Sequence, residues 1–318
     1  MEGNMKKIKV TMIIFTTVFL LIAAPAMAAV KYEVDIEDVP GQITFIGDAL
    51  KLWDSNIKNV ADTIMTSPWE WSRGTEVVKV MDSIYQLLMP IGLQLVVIFF
   101  FVGSFSAYSS FIEMKRPEVL LKTFVRFAIS VYVVKEAKTI MQWLWDIVAL
   151  ILDKCKITMK ETNIVIPKSI CQCVDDLGFL ESGVAWVLAL ICNIAVIASI
   201  AFLLITVYLR FFKIYMYTAA APLAASAAAG RSTQQHATGF LKSYVGVMLE
   251  GFIIVLACMI FSAFTSTTIP FLTGGSYVGL GGFALFIGEK VMFCLVLVTI
   301  VRASDRIAKE MFGLYVGG

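Results

Sequence analysis

Long apolar runs separated by short polar stretches set the pattern of this chain. They fall at about 84–112, 128–152, 184–209, 244–264 and 283–301. Each is near the ~20 residues that an α-helix needs to cross a hydrocarbon layer. The pattern predicts an all-α, polytopic membrane protein with about five transmembrane helices, residues 84–301 forming the membrane domain. The first run carries Pro90 and Gly92 near its start, where a kink is expected. The second is interrupted by "KEAK", Lys135 to Lys138. Read as one helix, 119–152 would be ~50 Å long, beyond the ~30 Å core. It is therefore expected to be an approach helix that runs into one span, with a bent two-piece crossing as the alternative.

The start has a different pattern. Lys6, Lys7 and Lys9 precede a short apolar run, Val10 to Ala24, and then Pro25 and Ala26-Met27-Ala28. This reads as a signal peptide, residues 1–28, the alternative being an uncleaved first span. Residues 29–83 are then an external segment. Within it Leu50, Trp53, Ile57, Val60 and Ile64 recur at helical spacing, so one helix face is apolar. That amphipathic helix lies either on the membrane surface or a partner, or on the chain's own spans.

Charge orients these elements. Basic residues gather at 115–126, at 210–242 and at 302–309, in every second connection. Positive residues stay on the cytoplasmic side, so the N-terminus is expected outside and the tail, 302–318, inside. Composition agrees: 59% of residues are hydrophobic, 16% are charged and the mean hydropathy is +0.83, against about 25% charged in soluble domains. The net charge of +2 gives no overall basic field for nucleic acid.

Little in the sequence points to catalysis. The one histidine is His236, and no zinc-ligand spacing, phosphate loop or nucleotide-binding motif occurs. No metal or cofactor is expected, and the chain is not read as an enzyme. Cys192, Cys258 and Cys294 lie in spans and read as packing residues. Cys155, Cys171 and Cys173 lie in the polar connection 153–182, expected on the oxidising side, where Cys155 could pair with either of the other two. Glu250, Glu289 and Lys290 fall inside spans. Intramembrane charges are either the polar lining of a conduit or a proton relay, or else a structural ion pair between helices, or Glu250 and Lys242 near the interface.

One connection stands apart: "APLAASAAAGRSTQQHATGFLKSY", 221–244. Ala219 to Ala229 holds eight Ala and one Ser, so its side chains are thin all round. Small surfaces let helices approach closely. Pro222 is expected to break the preceding helix and Gly230 to end the short one that follows. Pro222, Ala224, Ala228 and Gly230 thus mark an assembly interface, the alternative being a plain connecting hairpin.

Residues 208–261, in which a long span runs through "APLA" to a "FLKSY" restart, resemble the TrbL/VirB-six-like family, the polytopic membrane subunits of type IV secretion and conjugation systems. The form is that of Gram-positive conjugative elements. The signal-like start, the five spans and the inside tail fit the same layout. The resemblance implies a non-enzymatic channel or scaffold subunit in the cell membrane. It would work with a VirB-type ATPase, a coupling ATPase, a bitopic scaffold protein and further copies of itself, and contact transferred DNA at most indirectly. A small-solute secondary transporter, or a membrane scaffold without a conduit, is the alternative.

Overall fold

The computed structural model describes residues 31–32, 39–71, 75–107, 117–156, 165–265, 278–311 and 313. The expected signal peptide lies outside these residues, as do the connections 108–116 and 266–277 and most of the tail after Met311. The fold is all-α and polytopic. Its helices are α1 (Gly41–Met65), α2 (Thr75–Ala107), α3 (Pro117–Lys135), α4 (Ala137–Lys156), α5 (Lys168–Asp175), α6 (Phe179–Ser226), α7 (Gln234–Thr265) and α8 (Gly279–Met311). A 3-10 turn, Ala227–Ala229, follows α6. A two-residue parallel pairing joins β1 (Lys31–Tyr32) to β2 (Val165–Ile166).

Among the described residues four helices, α2, α6, α7 and α8, are long and apolar enough to cross a membrane. The expected count was five. The difference lies in 128–152, which is divided between α3 and α4 by a turn at Glu136. Neither piece is apolar enough alone: α3 carries Glu118, Lys122 and Arg126, and α4 carries Lys138, Asp146, Asp153 and Lys154. The backbone ladder nevertheless continues across the turn, with Glu136 N–H donating to Tyr132 O at 2.9 Å and Ile140 N–H to Glu136 O at 2.9 Å. The stretch is thus two helices joined at a turn, not one ~50 Å helix.

The chain forms two compact units. The first comprises residues 1–59, 160–201 and 261–296, and the second 60–159, 202–260 and 297–318. In the first unit the apolar face of α1 is spent on the chain itself. Ile43, Ile46, Ala49, Leu50, Trp53 and Ile57 are buried. Phe45 meets Trp186 at 6.1 Å and Trp53 meets Phe261 edge-on at 6.4 Å, both measured between ring centroids. Asn193 Nδ2 of α6 donates to Phe45 O at 3.3 Å, and Gln42 Nε2 donates to Ser182 Oγ at 3.0 Å. Of the two readings of this amphipathic helix, packing on the chain's own spans is the one observed.

In the second unit α2 and α3 run antiparallel. Phe100 packs on Phe127 at 4.8 Å, while Tyr85, four turns earlier on α2, reaches the end of α3. The Tyr85 hydroxyl donates to Lys135 O and accepts from Lys138 N–H, each at 3.2 Å. Lys138 Nζ pairs with Asp82 Oδ1 at 2.6 Å. The polar interruption "KEAK" is therefore anchored on α2, because a bend in an apolar environment must find partners for its backbone groups.

The same unit explains the alanine segment. Pro222 does not end α6, which runs on to Ser226. This corrects the expected break. A proline removes one N–H and crowds the carbonyl four residues earlier, and a long helix packed on its neighbours can absorb that. Gly230 follows the 3-10 turn in an extended conformation and does end the helical run. Against this segment lie two glycines of α2. A Cβ on Gly92 would stand 2.7 Å from Pro222 O, and one on Gly103 would stand 2.6 Å from Gly230 Cα. Backbones approach this closely only where side chains are absent or thin.

A methyl group at Gly103 should therefore lower stability. Overpacking costs about 1–3 kcal/mol, and the better helix propensity of alanine returns at most ~1 kcal/mol. Gly183, a helical glycine with nothing within 4 Å of its would-be Cβ, is the control. Thermal unfolding in detergent should show Gly103→Ala melting below the parent and Gly183→Ala at or above it.

Candidate functional site: a buried ionic cluster

Arg210 and Lys213 lie one turn apart on α6, so both can face α7. Arg210 is fully buried. Its Nε donates to Val247 O and its Nη2 to Met248 O, both at 3.2 Å. The guanidinium carbon stands 5.2 Å from the centroid of the Trp145 ring of α4, and that ring is itself buried. The two carbonyls belong to the interior of α7, so Arg210 shares acceptors that the helix ladder already uses. Its Nη1 has no hydrogen-bond partner.

Room for this side chain comes from Gly251. A Cβ there would lie 2.2 Å from the Arg210 guanidinium carbon and 2.4 Å from Nη2. Beside it, the buried Glu250 pairs with Lys213, Nζ to Oε2 at 3.2 Å. Lys213 also reaches Asp305 Oδ1 of α8 at 3.6 Å, and Asp305 Oδ2 takes Lys309 at 2.9 Å. Tyr244 hydroxyl donates to Met141 O at 3.2 Å, tying α7 to α4. Three cations and two carboxylates from α6, α7 and α8 thus meet in one place. Partners for buried charge are needed because an unpaired ion in a low-dielectric interior is strongly destabilising.

The sequence marked Glu250 inside a span and placed Arg210 and Lys213 in the basic cluster 210–242 at the cytoplasmic end of another. The structure brings all three together. Glu250 finds Lys213, not Lys242, which is exposed. Arg210 was legible through one signal: an arginine that interrupts an otherwise apolar helix, with Gly251 beside the marked Glu250.

Glu289 and Lys290 belong to the first unit. Glu289 is buried, its Oε1 lies 3.5 Å from the neighbouring Lys290 Nζ, and its Oε2 is without a hydrogen-bond partner. The Lys290 ammonium sits 5.3 Å from the Phe286 ring and 5.8 Å from Phe293, as cations favour aromatic faces.

Of the small-residue set, Pro222 and Gly230 are buried and Ala224 and Ala228 half-buried. Their main neighbour is α2, through Gly92 and Gly103. Those glycines were not singled out as a pair, although eleven residues is three helical turns and puts them on one side of α2. Cys171 and Cys173 lie on α5, a helix where a polar loop was expected. Both are buried free thiols, so neither forms the expected disulfide, and the Cys155 side chain lies outside the described residues. Two residues on a helix are 200° apart, which also forbids a bond between Cys171 and Cys173. Burial pushes both thiols up from their ordinary value, and nearby Asp175 and Asp176 add to this. Cys173 Sγ is held by Gly279 O at 3.1 Å.

No family model matches this chain, and comparison with curated proteins and with solved structures returned no match.

The tight seat of Arg210 has a direct consequence. Gly251→Ala should force the guanidinium out of line with Val247 O and Met248 O, and a buried charged group left short of partners costs about 1–3 kcal/mol or more. A clear fall in the unfolding midpoint, partly recovered by combining it with the shorter Arg210→Lys, is the expected result in thermal melts.

Proposed function

We propose that this protein is a non-enzymatic channel or scaffold subunit of a conjugative type IV secretion system, acting in the cell membrane to help pass a DNA–protein substrate. The reading rests on residues 208–261, whose resemblance to the TrbL/VirB-six-like family covers the stretch in which α6 and α7 are bound together around Arg210, Lys213 and Glu250. Buried intramembrane charges are kept where they define a specific helix arrangement or a path. On this reading the basic connections face the cytoplasm, near a VirB-type ATPase, a coupling ATPase and a bitopic scaffold protein. Ala224 and Ala228 keep part of their surface for a neighbouring subunit.

The course of the helices supports a scaffold over a secondary transporter. Transporters build midplane sites from interrupted helices in paired halves. Here α2 and α6 run unbroken through Pro90 and Pro222. One observation favours the second reading, a solute or ion path: the buried Glu289 Oε2 without a partner.

Removing the gene should abolish conjugative transfer while cytoplasmic relaxase activity persists, and supplying it in trans should restore transfer. Normal transfer frequency in the deletion strain would exclude the secretion reading. Restoration by a Glu289→Gln copy would favour the scaffold, whereas failure despite normal membrane levels would favour a path through that carboxylate.

The exposed sides of Ala224 and Ala228 carry a separate expectation. Leucine at both positions should reduce self-association and co-purification of the partner ATPase while membrane levels hold. Co-purification at parental levels would mean that the segment serves α2 alone.

A further inference from the structure

The buried cluster has two further features: the Arg210 Nη1 has no hydrogen-bond partner, and α8 ends beside it in a short charged segment. Four of the five charges in residues 302–311 of α8 pair within the helix, and the fifth, the exposed Arg302, lies 5.4 Å from the Phe202 ring of α6. Asp305 takes Lys309 at 2.9 Å and Glu310 takes Arg306 at 2.7 Å, both within the helix at a spacing of four. The ionic tie from this end to α6 is Lys213 to Asp305 at 3.6 Å, between side chains about one third exposed. Ion pairs this accessible hold weakly. The buried stripe of the same end is Val301, Ser304 and Ala308, two of which are small. Earlier in α8 the buried residues are larger: Phe283, Phe286, Ile287 and Leu297.

We propose that residues 302–311 form a releasable clasp, closed on α6 by Lys213 and able to leave without stranding a charge. On release Asp305 departs with Lys309, and Glu310 with Arg306. Lys213 stays with Glu250, its nearer carboxylate at 3.2 Å. Arg210 is a further electrostatic neighbour of Glu250, and its Nη1 is the spare donor that can serve that carboxylate once the cluster has rearranged. The surplus of one cation over the carboxylates, which makes little sense in a static staple, is what lets Glu250 keep a cation in both states. Segments that open locally are those with few buried apolar groups and accessible polar ties. This proposal does not depend on the secretion reading.

Amide hydrogen exchange on the full chain in lipid nanodiscs tests it. Asp305→Asn weakens the tie to α6 and leaves Lys213 with Glu250. Exchange across 302–311 should rise by about tenfold or more, as for a local opening, while 206–216 and 244–252 keep parental protection. Lys213→Gln should open the same end and also leave 244–252 protected, because Arg210 takes over Glu250. The clasp is overturned if 302–311 exchanges at the parental rate in both variants. It is equally overturned if 244–252 loses protection together with 302–311 in Lys213→Gln, since the cluster would then be one rigid staple.

Discussion

A guanidinium removed from water has to be surrounded, and the second unit is arranged to surround Arg210. Two carbonyls of α7 take its Nε and Nη2, Trp145 of α4 lies against its face, and Gly251 leaves the volume that its end occupies. Three helices are positioned by one side chain. Apolar burial cannot set such an arrangement in a bilayer, since lipid tails solvate leucine as well as a helix neighbour does. Only specific contacts discriminate one packing from another: a charge with its partners, or two backbones close enough for dispersion to count. The structure uses both, with Arg210 seated against Gly251 and, about three turns further along α6, Pro222 against Gly92.

The two devices differ in what they tolerate. Close approach through Gly92, Gly103 and the alanine segment depends on the absence of atoms, so almost any larger side chain is wrong there. The ionic cluster depends on matching donors to acceptors, so exchange among its members is allowed as long as each buried carboxylate keeps a cation. Packing thus fixes where α2 lies against α6, whereas the charges at α6, α7 and α8 admit more than one pairing.

Much of the architecture was legible in the apolar runs. Helices α2, α6, α7 and α8 coincide with predicted spans, and the period of Leu50, Trp53, Ile57 and Ile64 correctly marked the buried face of α1. Three things were not legible, each for a physical reason. Helix α6 continues past Pro222 because a proline forbids one hydrogen bond and not a helix that neighbours support. The division at Glu136 turns on Tyr85 and Asp82, fifty or so residues away, and local pattern carries no information about such partners. The destination of the apolar face of α1 could not be read from α1, since a bilayer, a partner and the chain's own helices offer the same chemistry.

The candidate site was half legible, and the missing half is instructive. Position-specific charge counting treats Arg210 and Lys213 alike, as cations at the end of a span. Their surroundings separate them: Arg210 is wholly enclosed, while Lys213 is about one third exposed and bridges two carboxylates. An arginine suits the enclosed place, since its planar group spreads charge over several donors and stacks on an aromatic ring; an ammonium suits the bridging one, since a compact charge turns between acceptors without loss. The enclosed cation therefore holds the helices in place, and the bridging one is where a change of pairing can begin.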